Sequence, residues 1–148
     1  MKAYPHHYRV AASASPNGEV VLSSTGVEQI HSAPPVEFDG PGDRWSPETL
    51  LVGAIADCFV LTFRAVARAG KLAWISLDCD VEGLLEREPG ATRFTSFTVN
   101  ARLRVPEGTD IGIAERALHK AESSCLISNS LNGRRELIAS VEIAHAEG

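Results

Sequence analysis

The chain has 148 residues, of which 44% are hydrophobic and 22% charged, a length and composition that suit a single domain with a proper core. The net charge of −5 argues against a nucleic-acid partner, because surfaces that bind nucleic acids are basic. The first residues contain no apolar signal-peptide core, so we expect a cytoplasmic protein whose thiols are kept reduced. None of the three cysteines lies in a C-x-x-C pair, which excludes zinc-ribbon and thioredoxin-type sites.

The N-terminal quarter of the chain predicts short strands separated by turns. Alternating apolar residues indicate strands near residues 8–12, 19–23 and 27–30, with a Pro-Asn-Gly turn at residues 16–18. A glycine-rich loop at residues 38–45 then leads into a helix. Such a loop can bind an anion at the helix N-terminus, although a tight entry turn is the commoner use.

Residues 46–70 predict one long helix. Ser46 suits the N-cap, a proline follows at the first helical position, and Gly70 suits the C′ position. The helix is apolar on most of its surface, so we expect it to be covered on most sides. Asp57 at its middle and two arginines after it argue against a membrane span.

The hydrophobic period changes from 3.6 to 2 after this helix. Alternation at residues 75–81 and again at 97–105 predicts a long antiparallel hairpin with one wet face. Asp110 is placed to cap a second helix whose apolar face ends at Cys125, and a last strand is predicted at residues 136–144. The sequence therefore predicts an α+β domain with antiparallel sheets around a long central helix and a second helix.

Two of the cysteines lie on apolar helix faces. Cys58 is interpretable as a small core hydrophobe or as a reactive thiol. It lies about three turns inside the helix, where the helix dipole has no effect, and Asp57 disfavours a thiolate, so a reactive Cys58 needs a cationic partner. Cys125 could meet Cys58 if the two helices pack together, whereas Cys79 alternates with apolar residues and is interpreted as a buried strand residue.

Two segments resemble the cysteine motifs of a known family. Residues 46–59 read SPETLLVGAIADCF and residues 120–131 read KAESSCLISNSL, which is similar to the two motifs of the OsmC/Ohr family of thiol-dependent peroxidases. The order of elements agrees over essentially the whole chain. The resemblance implies a single OsmC-like domain over residues 1–148, an intertwined homodimer, and reduction of organic hydroperoxides without a metal or cofactor.

The resemblance also implies roles for individual residues. Cys58 would be the peroxidatic cysteine, and Cys125 would resolve its sulfenic acid to an intramolecular disulfide. An external dithiol of lipoyl or thioredoxin type would restore both thiols. Glu48 matches the family's glutamate, which orients an activating arginine. The alternative is a non-enzymatic member that binds a small apolar ligand or senses oxidants.

Two features of the sequence bear on this interpretation. Glu48 and Cys58 are ten residues apart on one helix, about 15 Å along its axis, so a Glu48 that serves the Cys58 site must come from a second subunit. Family members of the Ohr type carry the activating arginine in the turn between the first two strands. Here that turn reads Ser-Pro-Asn-Gly at residues 15–18, which leaves Arg9 and Arg44 as substitutes, and Arg44 is close enough to Glu48 in sequence to pair with it.

Overall fold

The computed structural model describes residues 1–145 and has the predicted α+β composition. Its strands and helices are β1 (Ala11–Ser13), β2 (Val20–Ser23), β3 (Ile30–Ser32), α1 (Pro47–Ala69), β4 (Ser76–Glu88), β5 (Ala91–Pro106), α2 (Ile111–Ser124), α3 (Leu126–Asn129) and β6 (Arg134–Ala144). The chain forms two compact units, Met1–Leu51 and a second that begins at Val52. A single functional domain over residues 1–148 stays a prediction.

The first unit contains a small antiparallel sheet in the order β1-β2-β3. The register pairs Val20 with Ser32 and Leu22 with Ile30, so the third strand lies slightly later in the chain than the apolar pattern at residues 27–30 predicted. Likewise β1 begins at Ala11 rather than at residue 8. Both strands are short and largely exposed, and therefore burial does little to fix where their pairing begins.

Ser46 caps α1 as predicted. Its Oγ accepts a hydrogen bond from the Thr49 N–H at 3.1 Å, and the Ser46 N–H donates to Thr49 Oγ1 at 2.9 Å, which satisfies two donors at the helix start. Farther along, the fully buried side chains recur every four residues and form a single stripe: Ile55, Phe59, Phe63 and Ala67. The expectation that α1 is covered on most sides is therefore not met within one chain.

The C-terminal end of α1 differs from the prediction by one residue. The left-handed residue is Lys71, with φ of 53°, rather than Gly70. The Leu72 N–H bonds to the Ala67 carbonyl at 2.9 Å and the Lys71 N–H to the Arg68 carbonyl at 3.2 Å. This paired pattern is the Schellman motif, in which Gly70 occupies the C-cap and Lys71 the C′ position.

By length and composition, α1 is a helix that could cross a membrane. Its mean hydropathy reaches 1.9 over an 18-residue window, of which 22% is buried. One such helix is weak evidence for a span, because core helices of soluble proteins pass the same test. What the observation establishes is an extensive apolar helix surface that the rest of the chain leaves partly uncovered.

The second unit is built on the predicted hairpin. β4 and β5 pair antiparallel across a two-residue Pro89-Gly90 turn, where Gly90 has φ of 87°, a conformation that glycine adopts without strain. One face of β5 is buried along its length, as the alternation predicted: Phe97, Val99, Ala101, Leu103 and Val105. These side chains form the sheet's contribution to the core.

The last strand corrects the predicted topology. β6 pairs with β5 in parallel, from Ser96 opposite Arg134 to Pro106 opposite Ala144, whereas the sequence predicted antiparallel sheets throughout. The reason is the connection: α2 carries the chain from the end of β5 back to the level of its start, so β6 runs in the same direction. The second sheet therefore has the order β4-β5-β6 with mixed pairing.

The second helix begins as predicted and ends earlier. The Asp110 carboxylate accepts from the Ile113 N–H at 3.2 Å, and the residues at positions 114, 118 and 121 are buried. Cys125 lies outside the helix: it has extended backbone angles and separates α2 from the short α3. The segment 122–129 thus changes direction at Cys125, and this bend determines which backbone groups surround the sulfur.

Gly83 marks a close approach of α1 to β4. A Cβ at this position would lie 2.9 Å from Val52 Cγ2 and 3.0 Å from Phe94 Cε1. We expect Gly83→Ala to lower the free energy of unfolding by about 1–2 kcal/mol through overpacking, measured by denaturant titration. In a Val52→Ala background the same change should cost less, since one of the two side chains that crowd the new Cβ has been shortened. Equal costs in the two backgrounds would contradict the contact.

Candidate active site

Cys58 lies on α1 in the second unit, half-buried, with a hydroxyl one helical turn away. Thr62 Oγ1 is 3.8 Å from its Sγ, and the four-residue spacing places both side chains on the same helix face. The neighbouring Asp57 is exposed and faces away from the core. Cys58 is therefore accessible enough to react and is supported by a hydroxyl donor from its own helix.

The segment that follows α2 contributes the remaining groups around this sulfur. The backbone N–H groups of Ile127 and Leu126 and the thiol of Cys125 lie close enough to Cys58 to lower its pKa. Cys125 itself is completely buried and is the N-cap residue of α3. The structure thus brings together two cysteines that lie 67 residues apart in the sequence.

The two thiols are shifted in opposite directions. Burial raises the pKa of Cys58, but the nearby donors of Ile127, Cys125, Thr62 and Leu126 outweigh it, so the net pKa is lowered. Burial raises the pKa of Cys125, the nearby Cys58 sulfur raises it further, and the donors of Ser128 only partly oppose this. Of the two thiols, Cys58 therefore loses its proton first as the pH rises.

Cys79 lies on β4 and behaves differently from this pair. Burial, followed by the negative charges of Asp80 and Glu122, raises its pKa to about 11. Its thiol is therefore protonated at neutral pH and is a poor nucleophile. Within residues 1–145, no group of three or more His, Cys, Asp or Glu side chains is arranged to hold a metal ion.

The predicted charged residues lie in the first unit. Arg44 Nε donates to Glu19 Oε1 at 2.6 Å, and His31 Nδ1 lies 2.8 Å from the other Glu19 oxygen. Arg44 and then His31 lower the pKa of Glu19, against the opposing effect of burial, and Glu19 raises the pKa of Arg44. The ion pair that Arg44 makes within the described residues is with Glu19 and not with Glu48, the partner that sequence proximity suggested.

Glu48 and Arg9 have no ionic partner among the described residues. Glu48 is in the first turn of α1, and its Oε1 is buried without a hydrogen-bond partner in this part of the chain. Arg9 precedes β1 and is exposed. The first unit also carries an open groove of about 790 Å³ beside Arg44 and Trp45, where the predicted glycine-rich loop lies; none of its lining residues is a cysteine.

Comparison with known proteins decides the family. A family model described as OsmC-like protein matches residues 40–138, which include both Cys58 and Cys125. The chain belongs to the OsmC-like family. The match begins after Arg9, so that residue lies outside the part of the chain that the family model covers.

Individual relatives agree with this assignment. The uncharacterized protein YmaD of Bacillus subtilis is 29% identical over 136 residues, 89% of this chain and 91% of that protein. A solved structure of the organic hydroperoxide resistance protein OsmC from Legionella pneumophila is 26% identical, with a TM-score of 0.74 over 94% of this chain and 98% of that one. An OsmC-like protein of unknown function from Vibrio cholerae shares the fold, with a TM-score of 0.80 at 16% identity over 93% and 100% of the two chains.

Sequence reasoning missed several groups around Cys58 in this OsmC-like protein. Thr62 was identifiable from its spacing of four residues on a helix. The N–H groups of Leu126 and Ile127 carry no side-chain signal, since every non-proline residue has the same donor. The sequence argument asked for a cation near Cys58, whereas the described chain supplies neutral hydrogen-bond donors.

The opposite pKa shifts of Cys58 and Cys125 lead to a prediction for alkylation. Iodoacetamide reacts with thiolates, so the rate at Cys58 should reach half its maximum at a lower pH than that of an unperturbed cysteine. Cys79 should titrate near its raised pKa of about 11. Peptide mass spectrometry after timed alkylation separates the sites. Cys125→Ala removes one donor and should raise the pKa of Cys58; an unchanged profile would show that the Cys125 thiol does not support the thiolate.

Proposed function

We propose that this OsmC-like protein is a cysteine-based peroxidase that reduces organic hydroperoxides. The observation that carries the proposal is the close approach of Cys58 and Cys125, in which the more accessible sulfur has the lowered pKa. A peroxidase of this kind needs an exposed thiolate and a second thiol within bonding reach. The name of the Legionella relative, an organic hydroperoxide resistance protein, agrees with this substrate class.

The first step is attack of the Cys58 thiolate on the peroxide O–O bond. The sulfur donates an electron pair to the nearer oxygen and becomes sulfenic acid, while the O–O bond breaks and the alkoxide leaves. One proton converts the alkoxide to the alcohol, so that Cys–S⁻, ROOH and H⁺ give Cys–SOH and ROH. The N–H donors of Ile127 and Leu126 favour the thiolate before the attack without contributing a titratable proton.

The second step joins the two sulfurs. Cys125 attacks the Cys58 sulfenic acid, a disulfide forms, and the hydroxyl leaves with the Cys125 proton as water. The order of the steps follows from the opposite pKa shifts of the two thiols. Once Cys58 is oxidised it no longer carries the charge that raised the pKa of Cys125, while the Ser128 hydrogen bonds that favour a Cys125 thiolate remain. Oxidation of the first thiol therefore activates the second.

The cycle closes with an external dithiol. Two successive thiol–disulfide exchanges return Cys58 and Cys125 to thiols and convert the dithiol, of lipoyl or thioredoxin type, to its own disulfide. Leu126 contributes an N–H to Cys58 while its side chain remains 65% exposed. An apolar side chain at this position favours an organic peroxide over hydrogen peroxide.

A homodimer forms part of the same proposal. The apolar surface of α1 is only partly covered, and the buried Oε1 of Glu48 has no partner in the described chain. A second copy would cover the helix and complete the carboxylate's hydrogen bonding. We assign the activating cation to Arg9, because the Arg44 guanidinium is already paired with Glu19.

The peroxidase proposal predicts a defined thiol count. One equivalent of cumene hydroperoxide should remove two of the three titratable thiols and link Cys58 to Cys125, with Cys79 unchanged, as measured by thiol titration and peptide mapping. Cys79→Ser, the matched control, should leave the disulfide yield unchanged. Cys125→Ser should stop at the Cys58 sulfenic acid, which dimedone traps.

The alternative, a non-enzymatic binder or slow redox sensor, gives a different result. It predicts no turnover of hydroperoxide with dithiothreitol or dihydrolipoamide, and retained ligand binding in Cys58→Ser. Unchanged thiol counts after excess hydroperoxide, in protein with an intact circular dichroism spectrum, would refute the peroxidase and favour this alternative.

The dimer and the cation are tested together. Sedimentation velocity should give about twice the mass of one 15.9 kDa chain. Arg9→Ala should slow Cys58 alkylation at pH 7 by about tenfold, as a one-unit rise in pKa requires, and Arg44→Ala should not. A monomer, or equal effects of the two arginine variants, would contradict this part of the proposal.

A further inference from the structure

The turn that carries Cys125 is tied to β6 by a single guanidinium. Arg135, the second residue of β6, donates from Nε to Glu122 Oε1 at 2.8 Å and from Nη1 to Asn129 Oδ1 at 2.6 Å. A third hydrogen bond runs from Nη2 to the Glu122 carbonyl oxygen. These acceptors lie on both sides of Cys125, so one side chain connects the last turn of α2 to the end of α3.

Asn129 closes the same connection from the other side. Its Nδ2 donates to the Ser123 carbonyl at 3.2 Å while its Oδ1 accepts from Arg135. Residues 122–129 thus form a loop whose two ends are bonded to each other and to the sheet. We name Arg135 and Asn129, with these bonds, the turn clamp.

We infer that Arg135 is a positioning residue that holds the Cys125 turn against Cys58, and that it acts through the backbone of residues 125–127. The inference rests on the proposed function, because it assigns a part in the formation of the Cys58–Cys125 disulfide. Between the two clamped ends lie Cys125 and the N–H groups of Leu126 and Ile127, which are the groups close to Cys58 that lower its pKa. Freeing one end of the turn would move all three together.

The chemistry of the clamp favours arginine specifically. Three acceptors in different directions require the planar fork of a guanidinium, which a single ammonium cannot match. The site is partly shielded from water, with side chains 29% exposed for Arg135 and 14% for Glu122. Glu122 Oε2 is buried without another partner in the described chain, so the carboxylate depends on Arg135 for its only side-chain ion pair there.

Arg134 provides a matched control. It is the adjacent residue on β6, is exposed, and makes no hydrogen bond or ion pair from its side chain within residues 1–145. Arg134→Met and Arg135→Met remove the same charge from neighbouring positions. A difference between them therefore reports the bonds rather than the net charge.

Two measurements test the clamp. Iodoacetamide alkylation of Cys58 at pH 7, followed by mass spectrometry, should slow about tenfold in Arg135→Met and remain at the parent rate in Arg134→Met. In glutathione redox buffers, the fraction of Cys58–Cys125 disulfide should fall in Arg135→Met only, because a loosened turn lowers the effective concentration of one thiol at the other. Arg135→Lys should behave like Arg135→Met.

The outcomes separate this inference from the peroxidase proposal. Alkylation and glutathione exchange need no hydroperoxide, so the clamp is measurable in a protein that lacks peroxidase activity. Equal behaviour of Arg134→Met and Arg135→Met, or full restoration by Arg135→Lys, would overturn the inference. If Arg135→Met fails to fold, the variant Asn129→Ala is tested in its place. This variant loses the hydrogen bonds of Asn129 to Ser123 and Arg135 but keeps the Arg135–Glu122 ion pair. Alkylation of Cys58 should again be slower than in the parent protein.

Discussion

The close approach of two sulfurs is the constraint on which the site of this OsmC-like protein depends. Cys58 comes from the middle of a long helix and Cys125 from a bend between two shorter ones, and neither has a charged neighbour that fixes its protonation state. Their immediate surroundings decide which thiol titrates first: the pKa of the more accessible sulfur is lowered and that of the buried one is raised. This division gives the proposed reaction its order, because the first oxidation removes the charge that inhibits the second thiol.

The fold supplies this contact through the topology of the second unit. A return strand placed antiparallel to β5 would begin at the far end of the sheet, and Arg135 would lie far from the Cys125 turn. The parallel return through α2 instead places the start of β6 directly after α3. The crossover connection and the turn clamp therefore belong together. Helix α2 reverses the direction of the chain and ends at the Cys125 turn, and the next strand, β6, holds that turn through Arg135.

The sequence predicted the parts of this structure that depend on local patterns. The buried face of β5, the Ser46 and Asp110 caps and the two cysteine-bearing segments all follow from residue type and spacing. What it did not predict depends on contacts between distant residues: the parallel β6, the Lys71 helix end, and the pairing of Arg44 with Glu19. Proximity in sequence suggested Glu48 for Arg44, but Arg44 instead binds Glu19, whose other oxygen contacts His31.

Whether hydrogen-bond donors alone are able to sustain a thiolate is a question of magnitude. One unit of pKa corresponds to 1.36 kcal/mol, and a hydrogen bond to a charged group contributes about 1.5–3 kcal/mol. Two N–H groups and two further donors close to Cys58 are thus of the magnitude needed to offset the desolvation of a half-buried thiolate, which is the direction of its pKa shift. An arginine from a second copy would lower that pKa further, which is the part proposed for Arg9. The turn between β1 and β2 lacks the arginine that Ohr-type members carry there. This absence is compatible with a reactive Cys58, provided that the turn carrying Leu126 and Ile127 stays in place.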